Sequence, residues 1–242
     1  MKVRKKIISI FILVTIFAFL PFSTFAKELL KEQVDYVSLG DSLAAGQTPY
    51  KQIGDGYADY LRDRFEQSNY QVSLMKYGVS GYKTANVINQ LMTNEKGIQE
   101  AIKQAEVVTL DIGANDLLAS LTQIQRDPAQ AKYALEGIQN NLYVILDKIG
   151  QLNPKANVYV MGYYHPFPHL SEEQQEALTP LLDALNQTIQ SVSQAANDTF
   201  VPVENVIEKH EKDYIPNPQD IHLAPEGYQA VAKEFWKLIM KQ

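Results

Sequence analysis

The chain is predicted to fold as a three-layer α/β/α protein around a parallel sheet of about five strands. Short, nearly continuous apolar runs alternate with longer stretches of helical periodicity over most of its length. The runs lack polar/apolar alternation, as strands covered on both faces do. No internal repeat and no low-complexity linker interrupts the series.

The first run, Val34–Leu39, ends on Gly40-Asp41-Ser42-Leu43, a tight-turn sequence. Gly56 to Phe65 then sets Tyr57, Tyr60, Leu61 and Phe65 on one side of a helix. Val72–Tyr77 is the second strand, and Thr84 to Met92 a helix with Val87, Ile88 and Leu91 on its apolar face. Val107–Ile112 is the third strand. Ala129 to Ile149 repeats Leu135, Ile138, Leu142, Ile145, Leu146 and Ile149 at helical spacing and stops at Gly150 and Pro154. Val158–Met161 is the fourth strand. Glu172 to Ala196 is a long helical pattern that a break at Pro180 would divide. Phe200–Val203 is the fifth strand, and Pro225, suited to a first helical turn, opens a last helix running to Met240. The irregular segments Ala44–Gly54, Tyr163–Leu170 and Lys209–Ile221 follow strands or precede the last helix. They are expected to crowd the carboxyl edge of the sheet, where open α/β folds place their chemistry.

Residues 1–26 stand apart. Lys2, Arg4, Lys5 and Lys6 precede an apolar or small run, Ile7 to Phe22, and Thr24-Phe25-Ala26 offers small residues where a signal peptidase reads. The run of 16 residues is shorter than the roughly 20 that a spanning helix needs. A secretory signal cleaved after Ala26 is therefore expected, with a retained anchor as the alternative, and residues 27–242 form the functional domain. Of 22 basic residues four lie in the leader, against 28 acidic ones elsewhere, so the remainder carries a net charge of −10. Nucleic acid and anionic membrane are poor partners for such a surface, whereas a neutral lipid or a glycan stays open. There is no cysteine, which excludes a thiol nucleophile and a disulfide framework. Stability must come from burial, which this length allows. A monomer is expected.

Four residues carry the candidate chemistry. Ser42 lies straight after the first strand, where a turn would hold its hydroxyl at the sheet edge. His222, just before the Pro225 helix, is a side chain that takes a proton near neutral pH. Asn115, in Gly113-Ala114-Asn115-Asp116 after the third strand, could donate to an oxyanion or cap the helix beginning near Asp116. Gly81 could let a ligand approach the backbone or simply make a turn, and Gly78 has the same two readings. Asp41 is expected to tie down the Ser42 turn, and Asp116 to bond backbone in the first turn of its own helix. His165 and His169 have a metal-ligand spacing, but Pro166 and Pro168 forbid the helix that spacing needs, so no metal is expected. Tyr163, Tyr164 and Phe167 read instead as an aromatic wall.

Gly-Asp-Ser-Leu at 40–43, Gly81 after the second strand, Gly-x-Asn-Asp at 113–116 and Asp220/His222 before the last helix together resemble the SGNH (GDSL) hydrolase superfamily, in order and spacing, over about residues 34–238. The resemblance implies a flavodoxin-like sheet and a serine hydrolase that needs no cofactor. It implies that Ser42 is the nucleophile, that His222 is the general base, and that the oxyanion hole is formed by Ser42, Gly81 and Asn115. The sequence departs from the family at the acid. Gln219 stands three residues before His222, where the family has its carboxylate, and Asp220 stands two before. Asp220 is the preferred partner of His222. A main-chain carbonyl and Asp213 are the alternatives. Leu223 replaces a proline common in relatives.

The expected function is a secreted serine esterase or lipase acting on a small-molecule or lipid ester. Leu43, Tyr82 and Phe167 are the expected substrate-binding residues. A carbohydrate O-deacetylase of the same fold, acting on an acetylated glycan, is one alternative. A binding protein that has lost turnover is the other.

Overall fold

The structure, a computed structural model, describes residues 32–241. The leader expected at residues 1–26 lies outside the described residues. Five parallel strands form one sheet: β1 (Gln33–Gly40), β2 (Gln71–Lys76), β3 (Val107–Asp111), β4 (Asn157–Met161) and β5 (Thr199–Val201), in the order β2-β1-β3-β4-β5. The helices are α1 (Ser42–Ala45), α2 (Tyr57–Gln67), α3 (Thr84–Thr93), α4 (Ile98–Gln104), α5 (Ala114–Arg126), α6 (Gln130–Leu152), α7 (Glu172–Ala195), α8 (Glu204–Glu208), α9 (Glu211–Tyr214) and α10 (Pro225–Ile239).

The strand order fixes where the helices lie. From β1 the chain first steps outward to β2, then crosses back past β1 to β3, β4 and β5. Parallel crossovers are right-handed, so reversing the direction of travel places the crossing helix on the opposite face. Accordingly α2 packs with α10, while α3, α4, α5 and α7 gather around α6. On the first side Tyr57 stacks on Phe235 with ring centroids 4.9 Å apart, and Trp236 meets Phe65 edge-on at 5.1 Å. On the other, Val87, Ile102, Leu142, Ile145 and Ile149 are fully enclosed. Each such side chain contributes about 1.5–3 kcal/mol by leaving water. The reversal between β1 and β3 leaves a crevice at their carboxyl ends, the place where such sheets bind ligands. Ser42 and Asn115 come from the first turns of α1 and α5, the helices that follow these two strands.

Three expectations need correction. The strands are not all covered on both faces: β2 is an edge strand whose Gln71, Ser73 and Met75 face outward and are exposed. The fifth strand ends at Val201, because Pro202 has no N–H to continue the ladder. Pro180 does not break α7. It lies on the exposed side of the helix, where water can solvate the carbonyl left without a partner.

Candidate active site

The turn bearing Ser42 is built on two buried carboxyl groups. Asp41 accepts from the Leu43 N–H at 3.0 Å and caps α1, as expected, and it also accepts from the Tyr163 hydroxyl at 2.7 Å. Asp111, at the end of β3, takes the Tyr57 hydroxyl at 2.6 Å on one oxygen. Its other oxygen lies 3.2 Å from the Ala44 N–H and 3.3 Å from that of Asp41. The strands close tightly here. A Cβ on Gly40, whose φ is +143°, would sit 2.2 Å from the Asp111 carbonyl oxygen. Only glycine gives β1 this exit into the serine turn.

Burial, and then the Asp41 charge beside it, push the Asp111 carboxyl well above the usual carboxylate range. Burial raises Asp41 as well. Burial and the mutual repulsion of the two carboxyl groups thus favour the neutral form of Asp111. A carboxyl raised in the folded state stabilises the fold fully below the ordinary carboxylate pKa. That contribution is lost as pH climbs through the raised value. Asp111→Asn removes this ionisation. It keeps an oxygen for the Ala44 N–H, and Tyr57 can turn its hydrogen to Ser38 or Thr109, each 3.4 Å away. The variant is expected to melt with a flatter pH dependence than the parent protein as pH rises above the ordinary carboxylate range. Parallel melting profiles would remove the pair from the account.

Facing this turn, His222 Nε2 lies 2.7 Å from the Ser42 hydroxyl. Its Nδ1 lies 2.5 Å from Asp220 Oδ1. The same Asp220 oxygen accepts the His222 main-chain N–H at 2.9 Å, an Asx turn that curls residues 220–222 until the imidazole reaches back to it. This local turn is how a two-residue spacing serves where three is usual. Asp213 lies on the exposed face of α9, and Gln219 instead donates its N–H to Asn217. The Gln47 amide nitrogen is 3.2 Å from Nδ1. With the single Nδ1 proton directed to Asp220, that nitrogen cannot also accept, so Gln47 is a polar neighbour of the ring.

Asn115 is not the cap of α5. Gly113 occupies that position, and the Asn115 amide donates one hydrogen to the Tyr82 carbonyl at 2.9 Å. Its second hydrogen remains available. Asp116 does not bond its own first turn as expected. Its carboxylate takes the Thr84 N–H at 2.9 Å and the Thr84 hydroxyl at 2.7 Å, capping α3 from across the site. Asn115 and Asp116 thus grip both ends of the Tyr82–Thr84 segment that follows Gly81. The main-chain N–H groups of Ser42 and Gly81 have no acceptor among the described residues. Gly81 has φ +81° and open space where a side chain would be. Gly78 presses against Ala44 and Ala45 of the serine turn, leaving a Cβ no room.

The three irregular segments meet as expected. Asn217 donates to the Pro49 carbonyl at 2.7 Å, Tyr164 to that of Ile221 at 2.8 Å, and His169 Nε2 to that of Ile215 at 2.8 Å. His165 Nδ1 accepts from the Phe167 N–H at 3.4 Å, so the two histidines serve separate loops. No group of three or more side chains suited to a metal ion occurs among the described residues. A cleft of about 760 Å³, open mouth included, begins at Ser42, Asn115 and His222 and takes in Leu43, Tyr163, Tyr164 and Phe167. Tyr82 does not line it: its side chain packs on the core and its carbonyl holds Asn115. Sequence reading missed Asp111, Tyr57 and Gln47. The one available signal was an aspartate inside the otherwise apolar third strand, since a buried polar residue is the informative kind.

A serine, an imidazole and a carboxylate in series at the switch point of a parallel sheet are the constellation of the α/β ester hydrolases. The chain belongs to the GDSL-like lipase/acylhydrolase family, whose sequence profile matches residues 38–230. It is 27% identical over 213 residues to the spore germination lipase LipC of Bacillus licheniformis, covering 83% of this chain and 94% of that one. Among solved structures it resembles the lipase Lip_vut3 from a goat rumen metagenome, with TM-score 0.73, 26% identity and coverage of 86% of this chain and 97% of that chain. The fold also matches Axe2, an acetylxylan esterase from Geobacillus stearothermophilus, with TM-score 0.61, 17% identity and coverage of 85% and 93%.

Proposed function

We propose that the protein is a serine esterase acting through an acyl-enzyme on Ser42. The observation that carries this reading is the chain of contacts from Ser42 Oγ to His222 Nε2 and from His222 Nδ1 to Asp220. Ser42 Oγ attacks the ester carbonyl carbon as Nε2 takes its proton, because a serine hydroxyl is a weak nucleophile without an adjacent base. The carbonyl electron pair moves onto oxygen. The Ser42 and Gly81 N–H groups and the free amide hydrogen of Asn115 receive that oxyanion, three donors that the protein itself leaves unused. The C–O bond to the alcohol breaks, and the alcohol leaves with the proton held by His222. Water, deprotonated by the same nitrogen, then releases the acid and regenerates Ser42. Asp220 holds the tautomer and offsets the imidazolium charge.

The lipase relatives favour an ester with an apolar acyl part. Leu43 and Phe167 are proposed to touch it, and Tyr82 to act through its carbonyl. The mature enzyme is proposed to begin at Lys27 outside the cell, on the layout of residues 1–26. N-terminal sequencing of the exported protein checks that point.

Asn115→Ala tests the oxyanion assignment. It removes one donor, so kcat on a p-nitrophenyl ester is expected to fall about 10²–10³-fold with little change in KM. A rate near that of the parent would end this assignment. No turnover of any ester by the parent enzyme would end the proposal as a whole.

A further inference from the structure

The cleft that starts at Ser42 does not stop at the reacting atoms. It continues between α5 and α7, two helices that lean on α6 rather than closely on each other. On α5 its wall is Ala114, Leu117, Leu118 and Leu121, and on α7 it is Leu178, Leu181, Leu182 and Leu185. Both sets repeat at i, i+3, i+4 and i+7, so each is one continuous apolar stripe. The two stripes run in opposite senses. Ala114 adjoins Asn115, and Leu185 lies at the same inner end, 3.5 Å from the position of a Cβ on Gly113. Burial grades outward from there. Leu117 and Leu185 are buried, whereas Leu118, Leu121, Leu178 and Leu181 are only partly covered.

Three of the polar groups in the cleft are already engaged. Tyr163 donates to Asp41, Tyr164 to Ile221, and Asp41 is filled by Leu43 and Tyr163. What remains free is the nucleophile, the oxyanion donors and the buried His165 Nε2, which has no partner among the described residues; none of them stands on either leucine stripe. Beyond them no side chain on either stripe can hydrogen-bond a sugar hydroxyl. Two stripes of partly covered leucine facing one gap call for an apolar occupant, and they join the reacting centre without a break.

We infer that this gap is an acyl-chain slot and that the enzyme cleaves esters of medium-chain fatty acids rather than acetyl groups on glycans. The inference rests on the Ser42 esterase reading and adds the substrate class. The slot sets the length. Leu178 to Leu185 spans seven residues, about 10 Å at the helical rise, which an extended alkyl chain of 1.5 Å bonds covers with about eight carbons. Each methylene that enters is worth up to about fourfold in transition-state binding.

The test is a series of p-nitrophenyl esters from acetate to palmitate, run beside acetylated xylan, on the parent enzyme, Leu121→Trp and Leu178→Trp. For the parent enzyme kcat/KM is expected to climb at least about 30-fold from acetate to a maximum near octanoate, fewer methylenes being fully enclosed at the outer end. Either tryptophan fills the outer end from one wall. The octanoate-to-acetate ratio should then drop by about tenfold or more, with the optimum moved to shorter esters. Two variants on opposite walls guard against one failing to fold. A small ethyl fluorophosphonate, which does not reach the outer slot, reports on Ser42 separately. Labelling of Ser42 together with a flat or acetate-peaked profile, or a ratio untouched by both tryptophans, would overturn the slot alone. Absence of labelling in the parent enzyme would bring down the esterase reading and the slot with it.

Discussion

Replacing Ser42 with alanine is expected to lower kcat for a p-nitrophenyl ester by about 10⁶-fold, the loss typical of removing the nucleophile from a serine triad. Incorporation of a phosphonate, stoichiometric in the parent enzyme, should vanish. The fold should hardly notice. The hydroxyl contributes one side-chain hydrogen bond, to His222, and its net worth is about 1 kcal/mol. The turn is held by other groups: the Asp41 cap on Leu43, the Asp111 contact to Ala44, and Tyr163 beneath Asp41. The freed imidazole nitrogen opens on the cleft, where water replaces the lost partner. Unfolding free energy measured in urea is therefore expected to stay within about 1 kcal/mol of the parent. A protein that kept the scaffold without turnover would show no adduct at Ser42 and no difference between the two forms. Residual hydrolysis within tenfold of the parent would place the nucleophile elsewhere.

The layers of the fold were legible because their cause is local. β1 and β3 are largely buried on both faces, and their sequences carry that as nearly continuous apolar runs. The edge strand β2 was not distinguishable from them. Nothing in Val72–Tyr77 says that only one side will be covered, since that depends on where the strand falls in the sheet order. The positions of Ser42, Asn115 and His222 were legible from residue type and order along the chain. Their mutual distance was not, because it is set by the reversal at β1 and by the Asx turn at Asp220. Least legible were the groups that act through others. Asp111 lies seventy residues from Asp41 in the chain and meets it only through the β1–β3 register. A local rule assigns Asp116 to its own helix, but its carboxylate takes the N–H of Thr84 at the start of α3. Tyr82 is expected among the substrate-binding residues, but it is its backbone carbonyl, holding Asn115, that reaches the site. In each case a long-range contact displaced a sound local expectation.

Asp220→Asn is expected to cost about 10⁴-fold in kcat with KM little changed, and Asp213→Asn no more than about twofold. The asymmetry follows from what each carboxylate touches. Asp220 Oδ1 holds the Nδ1 proton and so presents the Nε2 lone pair to Ser42. Its charge steadies the imidazolium that forms when Ser42 attacks. An asparagine leaves the Asx turn intact through its amide oxygen, but it supplies no charge, and that oxygen must serve the main-chain N–H and the ring together. Gln47 sets a floor under the damage. Its amide lies 3.2 Å from Nδ1 and can turn its oxygen to the ring once the carboxylate is gone. That would hold the tautomer without replacing the charge. Adding Gln47→Ala to Asp220→Asn should therefore deepen the loss, while Gln47→Ala alone should have a smaller effect. If Asp213→Asn were the more damaging of the two single changes, or Asp220→Asn cost less than tenfold, the short contact between Asp220 and His222 would not be the one that orients the base.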